Sequence, residues 1–338
     1  METRKFEYSL PKELIAQEPI EPRDSSRLLV LERKKKSVRE DVFRNVIDYF
    51  NPGDVLVLND TKVIPARIQA YKATGGKVEV FLLKKLGESR WEALVKPGRR
   101  VPPGSEVMVG EGIPIKIIDR TTDGTRIIEF SSPETSELVI RKFGQIPLPP
   151  YIKKPLSDPS RYQTIYAKKE GSVAAPTAAL HFTPQLLRRI EDKGIDVVYI
   201  TLHMGWGSFQ PIREETIEAH KLPSEYYTIP ELVAKRINKA KKEGKKIIAC
   251  GTDVVRAMET QAKEGKLEAG SGSTSLFITP GYKFKVVDTL ITNLHLPRSS
   301  HLVLVSAFAG REFVFKAYQY AVERRFRFYT FGDATIVL

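Results

Sequence analysis

The chain has 338 residues, and its 54 lysines and arginines outnumber its 41 aspartates and glutamates to give a formal net charge of +13. Apolar residues make up 41% and charged residues 28%, which exclude wholesale disorder and a fibrous repeat. The length favours two domains, and the positive charge favours a polyanionic partner, although charge also serves solubility.

The cysteine content and the apolar stretches limit where the protein works. Cys250 is the only cysteine, which excludes an intrachain disulfide and a zinc site with paired cysteines. The N-terminus shows no secretory signal, and the longest strongly apolar stretch, 302–310, is far below the roughly 20 residues of a membrane-spanning helix. We therefore expect a cytoplasmic protein with no membrane partner, and a monomer, because no self-pairing element is visible.

The first 66 residues predict an alternation of strand and helix. An apolar run at 28–31 predicts a strand, and apolar residues recurring every four positions predict a helix at 41–50. A turn then leads to a second apolar run at 55–58, which predicts a buried strand. This strand delivers Asn59 to Lys62 to its carboxyl end.

The stretch from Arg67 to about Gln145 has a different texture, with short β-prone runs between glycine-rich turns. Strands so closely spaced, with little helical pattern, predict a small closed β-barrel. Because the sequence before and after this stretch contains helices, the barrel is predicted to be an insertion into an α/β protein.

After Tyr151 strands and helices are again predicted to alternate. The clearest helix begins at Thr183, which is a typical N-cap residue, and is followed by Pro184 and closed by Gly194. The further predicted helices are 230–242, 254–263 and 313–324, and the predicted strands are 196–202, 246–250, 289–294 and 301–305.

Standard catalytic signatures do not occur in the sequence. It contains no HExxH, GxSxG or phosphate-binding GxxxxGK[ST] motif, and the segment starting at Gly205 lacks the third glycine of a dinucleotide fingerprint. Five histidines are too scattered to indicate a metal cluster, so no metal is expected.

Loops at predicted strand ends are the candidates for a site, because such loops collect ligands in α/β proteins. Thr177 and His181 lie four residues apart, which on a helical turn would allow a hydroxyl–imidazole pair to move a proton. The same spacing also fits a capping threonine and a buried core histidine, which is the more common outcome.

The loop after the strand at 196–202 contains two glycines and two aromatic residues. Gly205 and Gly207 would allow a ligand close to the backbone, and Trp206 and Phe209 could stack on a purine. An ordinary turn with two core aromatics explains the same pattern equally well.

Two further strand ends carry polar residues. The helix start after Gly251 could hold an anion, or could simply be capped by Thr252 or Asp253. Asn293 and His295 fall on the same side of an extended segment and could read the polar edge of a base, or belong to a turn before a proline.

Basic residues near the N-terminus are candidates for binding phosphate. They are Arg23, Arg27, Lys62 and Arg67. Arginine and lysine grip phosphate oxygens well, but Asp24 and Asp60 lie close enough in sequence to pair with them instead.

A set of short segments in a fixed order extends over nearly the whole chain. They are Tyr8-Ser-Leu-Pro, Pro22-Arg-Asp-Ser-Ser-Arg-Leu-Leu, Leu58-Asn-Asp-Thr-Lys-Val-Ile-Pro-Ala-Arg, Trp91-Glu-Ala-Leu-Val-Lys-Pro-Gly, Tyr162-Gln-Thr-Ile-Tyr-Ala, Ala175-Pro-Thr-Ala-Ala-Leu-His-Phe, His203-Met-Gly-Trp-Gly-Ser-Phe-Gln, Thr292-Asn-Leu-His-Leu-Pro, Val305-Ser-Ala-Phe-Ala-Gly and Phe331-Gly-Asp-Ala. Together they resemble the S-adenosylmethionine:tRNA ribosyltransferase-isomerase family of queuosine biosynthesis.

The resemblance implies both an architecture and a reaction. A larger α/β catalytic domain would consist of residues 1–66 and 147–338, with a barrel domain of residues 67–146 inserted. The ribosyl unit of S-adenosylmethionine would pass to 7-aminomethyl-7-deazaguanine (preQ1) at the wobble position of a tRNA. The product would be epoxyqueuosine-tRNA, with adenine and methionine released, and S-adenosylmethionine would be a consumed co-substrate rather than a cofactor.

Roles for the candidate residues are hypotheses within this resemblance. The catalytic residues would be His203, His181 and His295, of which His203 or His181 would handle the proton and His295 would lie near the reacting sugar or the deazaguanine. The residues near the adenosyl part and the reacting sugar would be Thr177, Gly205, Trp206, Phe209 and Asn293. The residues contacting tRNA phosphate or the methionine carboxylate would be Arg23, Arg27, Lys62 and Arg67.

Two other classes of function remain open from the sequence. An RNA methyltransferase using S-adenosylmethionine needs a glycine-rich strand–loop–helix, which is not evident near the N-terminus, and would release S-adenosylhomocysteine. A non-catalytic tRNA-binding protein would bind tRNA in a salt-sensitive way without turnover.

Overall fold

The computed structural model describes residues 1–207 and 210–338, and of 208 and 209 only the backbone. The chain divides into two compact units. The larger contains Met1–Lys62, Pro150–Lys169 and Ala175–Leu338, and the smaller contains Val63–Pro149 and Glu170–Ala174. The segment 170–174, which the sequence assigns to the larger domain, therefore belongs to the smaller unit, where the carbonyl oxygen of Ser172 accepts a hydrogen bond from the Ile64 N–H at 2.9 Å.

The helices and strands are numbered here in chain order. The strands are β1 Arg27–Glu32, β2 Ser37–Val42, β3 Val55–Asn59, β4 Thr61–Val63, β5 Arg67–Tyr71, β6 Lys77–Lys85, β7 Arg90–Lys96, β8 Glu106–Val109, β9 Ile113–Arg120, β10 Arg126–Phe130, β11 Gly144–Gln145, β12 Lys169–Ser172, β13 Asp196–Leu202, β14 Glu225–Ile229, β15 Ile247–Cys250, β16 Ala262–Lys263, β17 Lys266–Leu267, β18 Gly270–Thr274, β19 Thr289–Asn293 and β20 Ala334–Val337. The α-helices are α1 Pro133–Phe143, α2 Pro184–Asp192, α3 Glu231–Lys242, α4 Thr252–Gln261, α5 Ser300–Ala309 and α6 Arg311–Glu323. Short 3-10 helices include Phe43–Tyr49, Thr177–His181 and Trp206–Phe209.

The larger unit is built on a nine-stranded sheet in the order β18-β14-β13-β3-β15-β19-β20-β1-β2. The central strands β13, β3, β15 and β19 are parallel to one another. β3, β15 and β19 are buried at every residue, and parallel strands covered on both faces show such continuous apolar runs. Both chain ends contribute, since β20 lies between β19 and β1.

Local sequence signals account for most helices of this unit. The Thr183 hydroxyl accepts a hydrogen bond from the Leu186 N–H at 3.1 Å and begins α2, as predicted. The predictions of α3, α4 and α6 are also confirmed within a few residues at each end.

Two predicted elements of this unit are wrong. The segment 41–50 is not an α-helix, because its first two residues extend β2 and the next seven form a 3-10 helix. The segment 301–305 is not extended but lies in α5, which the Ser299 hydroxyl caps at the Leu302 N–H. Helix α5 is apolar on nearly all sides, so its pattern cannot be told from that of a buried strand.

The smaller unit contains a closed barrel. Its strands follow the order β5-β6-β7-β10-β9-β8, and pairing between β5 and β8 closes the ring, while β11 adds to the free side of β5. Helix α1, which begins after the N-cap Ser132, also belongs to this unit and was not predicted. No helix among the described residues is long and apolar enough to cross a membrane.

Gly144 allows a close approach of backbone segments in the smaller unit. A Cβ atom at Gly144 would lie 2.0 Å from the carbonyl oxygen of Pro65 and 2.3 Å from that of Ile140. We expect Gly144→Ala to lower the free energy of unfolding by roughly 1–3 kcal/mol, because backbone oxygens cannot move aside cheaply. Urea denaturation of the full chain measures the change.

Gly76→Ala is the matched control for this substitution. A Cβ atom at Gly76 would meet only the flexible Lys72 side chain, at 3.6 Å. Equal denaturation midpoints for the two variants would show that the close approach at Gly144 does not constrain the unit.

Candidate active site

The carboxyl ends of the four parallel strands meet at one edge of the large sheet. These ends are Asn59 of β3, Leu202 of β13, Cys250 of β15 and Asn293 of β19. Ligands of α/β proteins bind at this edge, because loops from several strands converge there. The candidate site therefore lies within the larger unit.

The buried side chain of Asn59 joins these strand ends. Its Nδ2 donates to the carbonyl oxygen of Leu202 at 3.0 Å and to Oδ2 of Asp253 at 2.6 Å. Its Oδ1 accepts the N–H groups of Leu202 at 3.0 Å and Thr61 at 3.1 Å. All four hydrogen-bonding positions of this amide are thus used. The sequence analysis noted Asn59 only as part of a strand-end segment and did not assign it a role.

A small cleft opens at this edge, with a cavity volume of about 30 Å³. Residues from separate loops line it, among them Thr177, Met204, Asp253, Thr292, His295 and Tyr329. Two of these, Thr177 and His295, were candidates from the sequence. Segments more than a hundred residues apart therefore contribute to one cavity.

His295 is the predicted catalytic residue that lines the cleft. Its Nε2 lies 2.8 Å from the Thr292 hydroxyl, and its Nδ1 is buried without a hydrogen-bond partner. The ring stacks on that of His301, with centroids 5.2 Å apart and planes inclined by 19°. Burial, and secondarily His301, hold the pKa of His295 well below 6.5, so the imidazole is neutral at pH 7.

His181 packs in the core beside the cleft and is not among the residues that line it. Its Nδ1 bonds the Ser26 hydroxyl at 2.8 Å, and its ring contacts Phe43 with centroids 5.0 Å apart. Burial lowers the pKa of His181 to about 4, partly offset by the neighbouring Asn293 side chain. This placement matches the core-histidine alternative, although a catalytic role remains untested.

His203 lies at the end of β13 next to the cleft-lining Met204. Its Nδ1 bonds the Thr61 hydroxyl at 2.8 Å, and its ring stacks on Tyr226 with centroids 6.1 Å apart. Burial lowers the pKa of this half-buried histidine, which a nearby Asp60 partly opposes. The ring is thus positioned by Thr61 rather than by a group in the cleft.

The glycine-rich loop after β13 borders a second cavity, which shares Thr252 and His301 with the cleft. The Gly205 N–H donates to Oε1 of Glu225 at 2.8 Å, and Glu225 forms a buried ion pair with Arg256. A Cβ atom at Gly207 would lie 2.5 Å from Cγ of Pro223, so the chain packs tightly there.

Of the two aromatic residues of this loop, Trp206 is the one whose side chain the structure describes. Trp206 is half-buried and is not among the residues that line either cavity. The predicted purine contact of Phe209 lies outside the described residues. Stacking of a purine on this loop stays a prediction.

Asn293, at the end of β19, and Asp253, which lines the cleft, are buried polar side chains. Nδ2 of Asn293 donates to the carbonyl oxygen of Tyr329 at 2.7 Å, and its Oδ1 is buried without a partner. Asp253 lies in the first turn of α4, whose N-cap is Gly251 at φ 105°. Burial raises the pKa of Asp253 to about 6, although the Asn59 hydrogen bond acts in the opposite direction.

The basic residues predicted to bind phosphate already have partners within the chain. Arg23 donates to the carbonyl oxygens of Gln163 at 2.9 Å and Leu180 at 3.2 Å, and Arg27 pairs with Glu40 while its guanidinium lies over Phe326. Arg67, in the smaller unit, pairs with Glu79 at 2.9 Å, and Lys62 also has a partner. Their contact with tRNA stays a prediction, and these bonds indicate structural roles.

Side chains able to bind a metal ion are not gathered in one place among the described residues. The part of the chain that the structure describes contains no group of three or more His, Cys, Asp or Glu side chains able to hold a metal ion. The expectation that no metal takes part is not tested by this arrangement.

The fold and the site define a member of a known enzyme family. A family model described as a queuosine biosynthesis protein matches residues 3–337, and the chain belongs to this family. The S-adenosylmethionine:tRNA ribosyltransferase-isomerases of Halothermothrix orenii and Thermotoga maritima are 51% and 48% identical to it, each over 100% of both chains.

A solved structure supports the same conclusion about the fold. The crystal structure of S-adenosylmethionine tRNA ribosyltransferase from Thermotoga maritima, at 2.00 Å resolution, matches with a TM-score of 0.58 and 40% identity. The match covers 99% of this chain and 100% of that chain. The resemblance read from the sequence and the predicted fold class, an α/β protein with an inserted barrel, are confirmed.

The raised pKa of Asp253 gives a prediction about stability. The unfolded carboxyl ionises near 3.8 and the folded one near 6, so the native state binds the proton more tightly. In the parent protein, the contribution of this carboxyl to the free energy of unfolding is fully present below about pH 4. It is lost as the pH rises through 6. We expect Asp253→Asn to gain on the order of 2–3 kcal/mol relative to the parent between pH 4 and pH 8.

Urea unfolding of both proteins across this pH range measures the difference. Asp192→Asn, at an exposed position on α2, is the control and should follow the parent at every pH. A pH-independent difference between parent and Asp253→Asn would contradict the assignment of a strained, buried carboxylate.

Proposed function

We propose that this chain transfers and isomerises the ribosyl moiety of S-adenosylmethionine onto preQ1 at the wobble position of tRNA. Epoxyqueuosine-tRNA would form, and adenine and methionine would leave. Relatives that match over the full length of the chain carry the name of this activity. The observation that supports it within the molecule is a cleft at the strand ends whose wall includes a buried, neutral and half-partnered histidine.

The first chemical requirement is a base near the sugar. The sulfonium of S-adenosylmethionine acidifies the adjacent C5′ protons, so a positioned base can begin the reaction there. A neutral imidazole with a free nitrogen is suited to this task, and His295 is the candidate that lines the cleft. His203 and His181 remain candidates for a second proton transfer, when adenine leaves.

The second requirement is exclusion of water, because an activated ribosyl group would otherwise hydrolyse. Thr177 lines the cleft and Asn293 is buried at the end of β19, and both are proposed to contact the co-substrate. Asp253 would supply a negative charge near the cationic sulfonium. Gly205, Trp206 and Phe209 are proposed to border the adenosyl part. No metal is required by this chemistry.

The partner is proposed to be a tRNA that already carries preQ1. The net charge of +13 favours binding of a polyanion, and this term should weaken with added salt. The contacts proposed for Arg23, Arg27, Lys62 and Arg67 would require exchange of their present partners. We also infer that the protein acts as a monomer in the cytoplasm.

The decisive experiment combines the full chain with S-adenosylmethionine and tRNA bearing preQ1. We expect nucleoside mass analysis to show epoxyqueuosine, and the small-molecule products to be adenine and methionine. Release of S-adenosylhomocysteine would indicate a methyltransferase instead. Salt-sensitive tRNA binding with an unchanged wobble nucleoside at saturating substrate would indicate a binding protein.

Substitution of the histidines tests their assignment. We expect His295→Asn to lower single-turnover ribosyl transfer roughly 10²-fold or more, because general acid–base groups contribute about that much. His203→Ala and His181→Ala should do the same if those rings also move protons, and near-native rates would remove them from that role.

His220→Gln is the control for the histidine series. The His220 ring pairs with Glu214 at 2.8 Å outside the cleft, so its loss should leave the rate unchanged. A His295→Asn variant as active as His220→Gln would contradict the role of His295.

A further inference from the structure

We propose that Thr292 is a positioning residue for the proton transfer, because its hydroxyl accepts the Nε2 proton of His295 and leaves the Nδ1 lone pair free. This inference rests on the proposed function. It deepens that function by assigning a residue to which the sequence gave no role and which does not itself exchange a proton with the substrate.

Among the described contacts of His295, the hydrogen bond at a ring nitrogen is the one with Thr292. The His295 N–H donates to the Tyr318 hydroxyl at 3.0 Å, and the His295 carbonyl accepts from Tyr8, so the backbone is held on both sides. The ring face is covered by His301. The Thr292 hydroxyl, 2.8 Å from Nε2, is the hydrogen-bonding group described at the ring nitrogens.

A hydroxyl can donate to or accept from an imidazole nitrogen, and we assign Thr292 the accepting role, with the proton of the neutral ring on Nε2. When Nε2–H donates to Oγ1 of Thr292, Nδ1 has a lone pair. In the proposed step the C5′–H bond breaks, its electron pair stays on the carbon beside the sulfonium, and an N–H bond forms at Nδ1. Nε2 keeps its proton throughout, so the same hydroxyl supports the ring before and after transfer.

Thr292 would orient His295 as the carboxylate of a hydrolase triad orients the catalytic histidine, but with a neutral hydroxyl in place of the carboxylate. A neutral partner does not stabilise the imidazolium strongly. Proton transfer to such a weakly basic histidine therefore needs a substrate proton that is already acidic, as the C5′ protons beside the sulfonium are. Thr292 is buried at 2% exposure in β19, so water does not replace it easily.

Thr335 provides a matched control in the neighbouring strand. It pairs directly with Thr292 in the β19–β20 register, is 1% exposed, and its hydroxyl has no hydrogen-bond partner. Thr335→Val and Thr292→Val remove the same atoms from equally buried strand positions. They differ in whether the lost hydroxyl contacts His295.

The experiment compares Thr292→Val, Thr292→Ser and Thr335→Val with the parent chain. The measurements are single-turnover epoxyqueuosine formation, equilibrium binding of S-adenosylmethionine, and the isotope effect with S-adenosylmethionine deuterated at C5′. We expect Thr292→Val to lose roughly tenfold or more in rate at nearly unchanged affinity, as when the partner that orients a functional histidine is removed. The isotope effect should increase, because proton removal becomes slower.

The conservative variants decide between positioning and packing. Thr292→Ser retains the hydroxyl and should recover most of the rate, and Thr335→Val should match the parent. A parent chain that forms no epoxyqueuosine would reject the proposed function itself. An active parent with an equally fast Thr292→Val variant, a Thr292→Ser variant no faster than Thr292→Val, or a loss of affinity alone would overturn the assignment of Thr292.

Discussion

The hydrogen bonds of Asn59 hold together the edge of the sheet on which the site depends. One amide joins the end of β3 to the end of β13 and to the first turn of α4. A buried amide that lost these partners would retain the cost of its desolvation, so the loops beyond each strand are confined to one arrangement. Two residues that line the cleft lie in the segments that Asn59 holds: Met204 comes two residues after Leu202, and Asp253 bonds Asn59 directly.

Burial then determines the charge states in the cleft. The rings of His295 and His301 are held neutral because a charge there would lose its hydration, and the Asp253 carboxyl is held near the middle of its titration at pH 6. A pair of neutral bases beside one ionisable acid is an environment in which a cationic co-substrate gains by entering.

The three candidate histidines show how far sequence patterns reach. Each stands in a loop segment that the sequence selects as a candidate, and spacing does not tell which ring faces a cavity. His181 packs against Phe43 and His203 bonds Thr61, whereas His295 lines the cleft. Similarly, Arg23 and Arg27 look like phosphate ligands in the sequence, but their guanidinium groups hold backbone carbonyls and Glu40.

The sequence by itself determined the α/β framework, the inserted barrel, most helix boundaries and the family, since these depend on local periodicity, capping residues and ordered motifs. It did not determine the helical state of 301–305, the placement of 170–174 in the smaller unit, or which polar groups share the cleft. Those features were decided by tertiary structure, because they depend on contacts between residues far apart in the chain, such as Asn59 with Asp253, which no local pattern encodes.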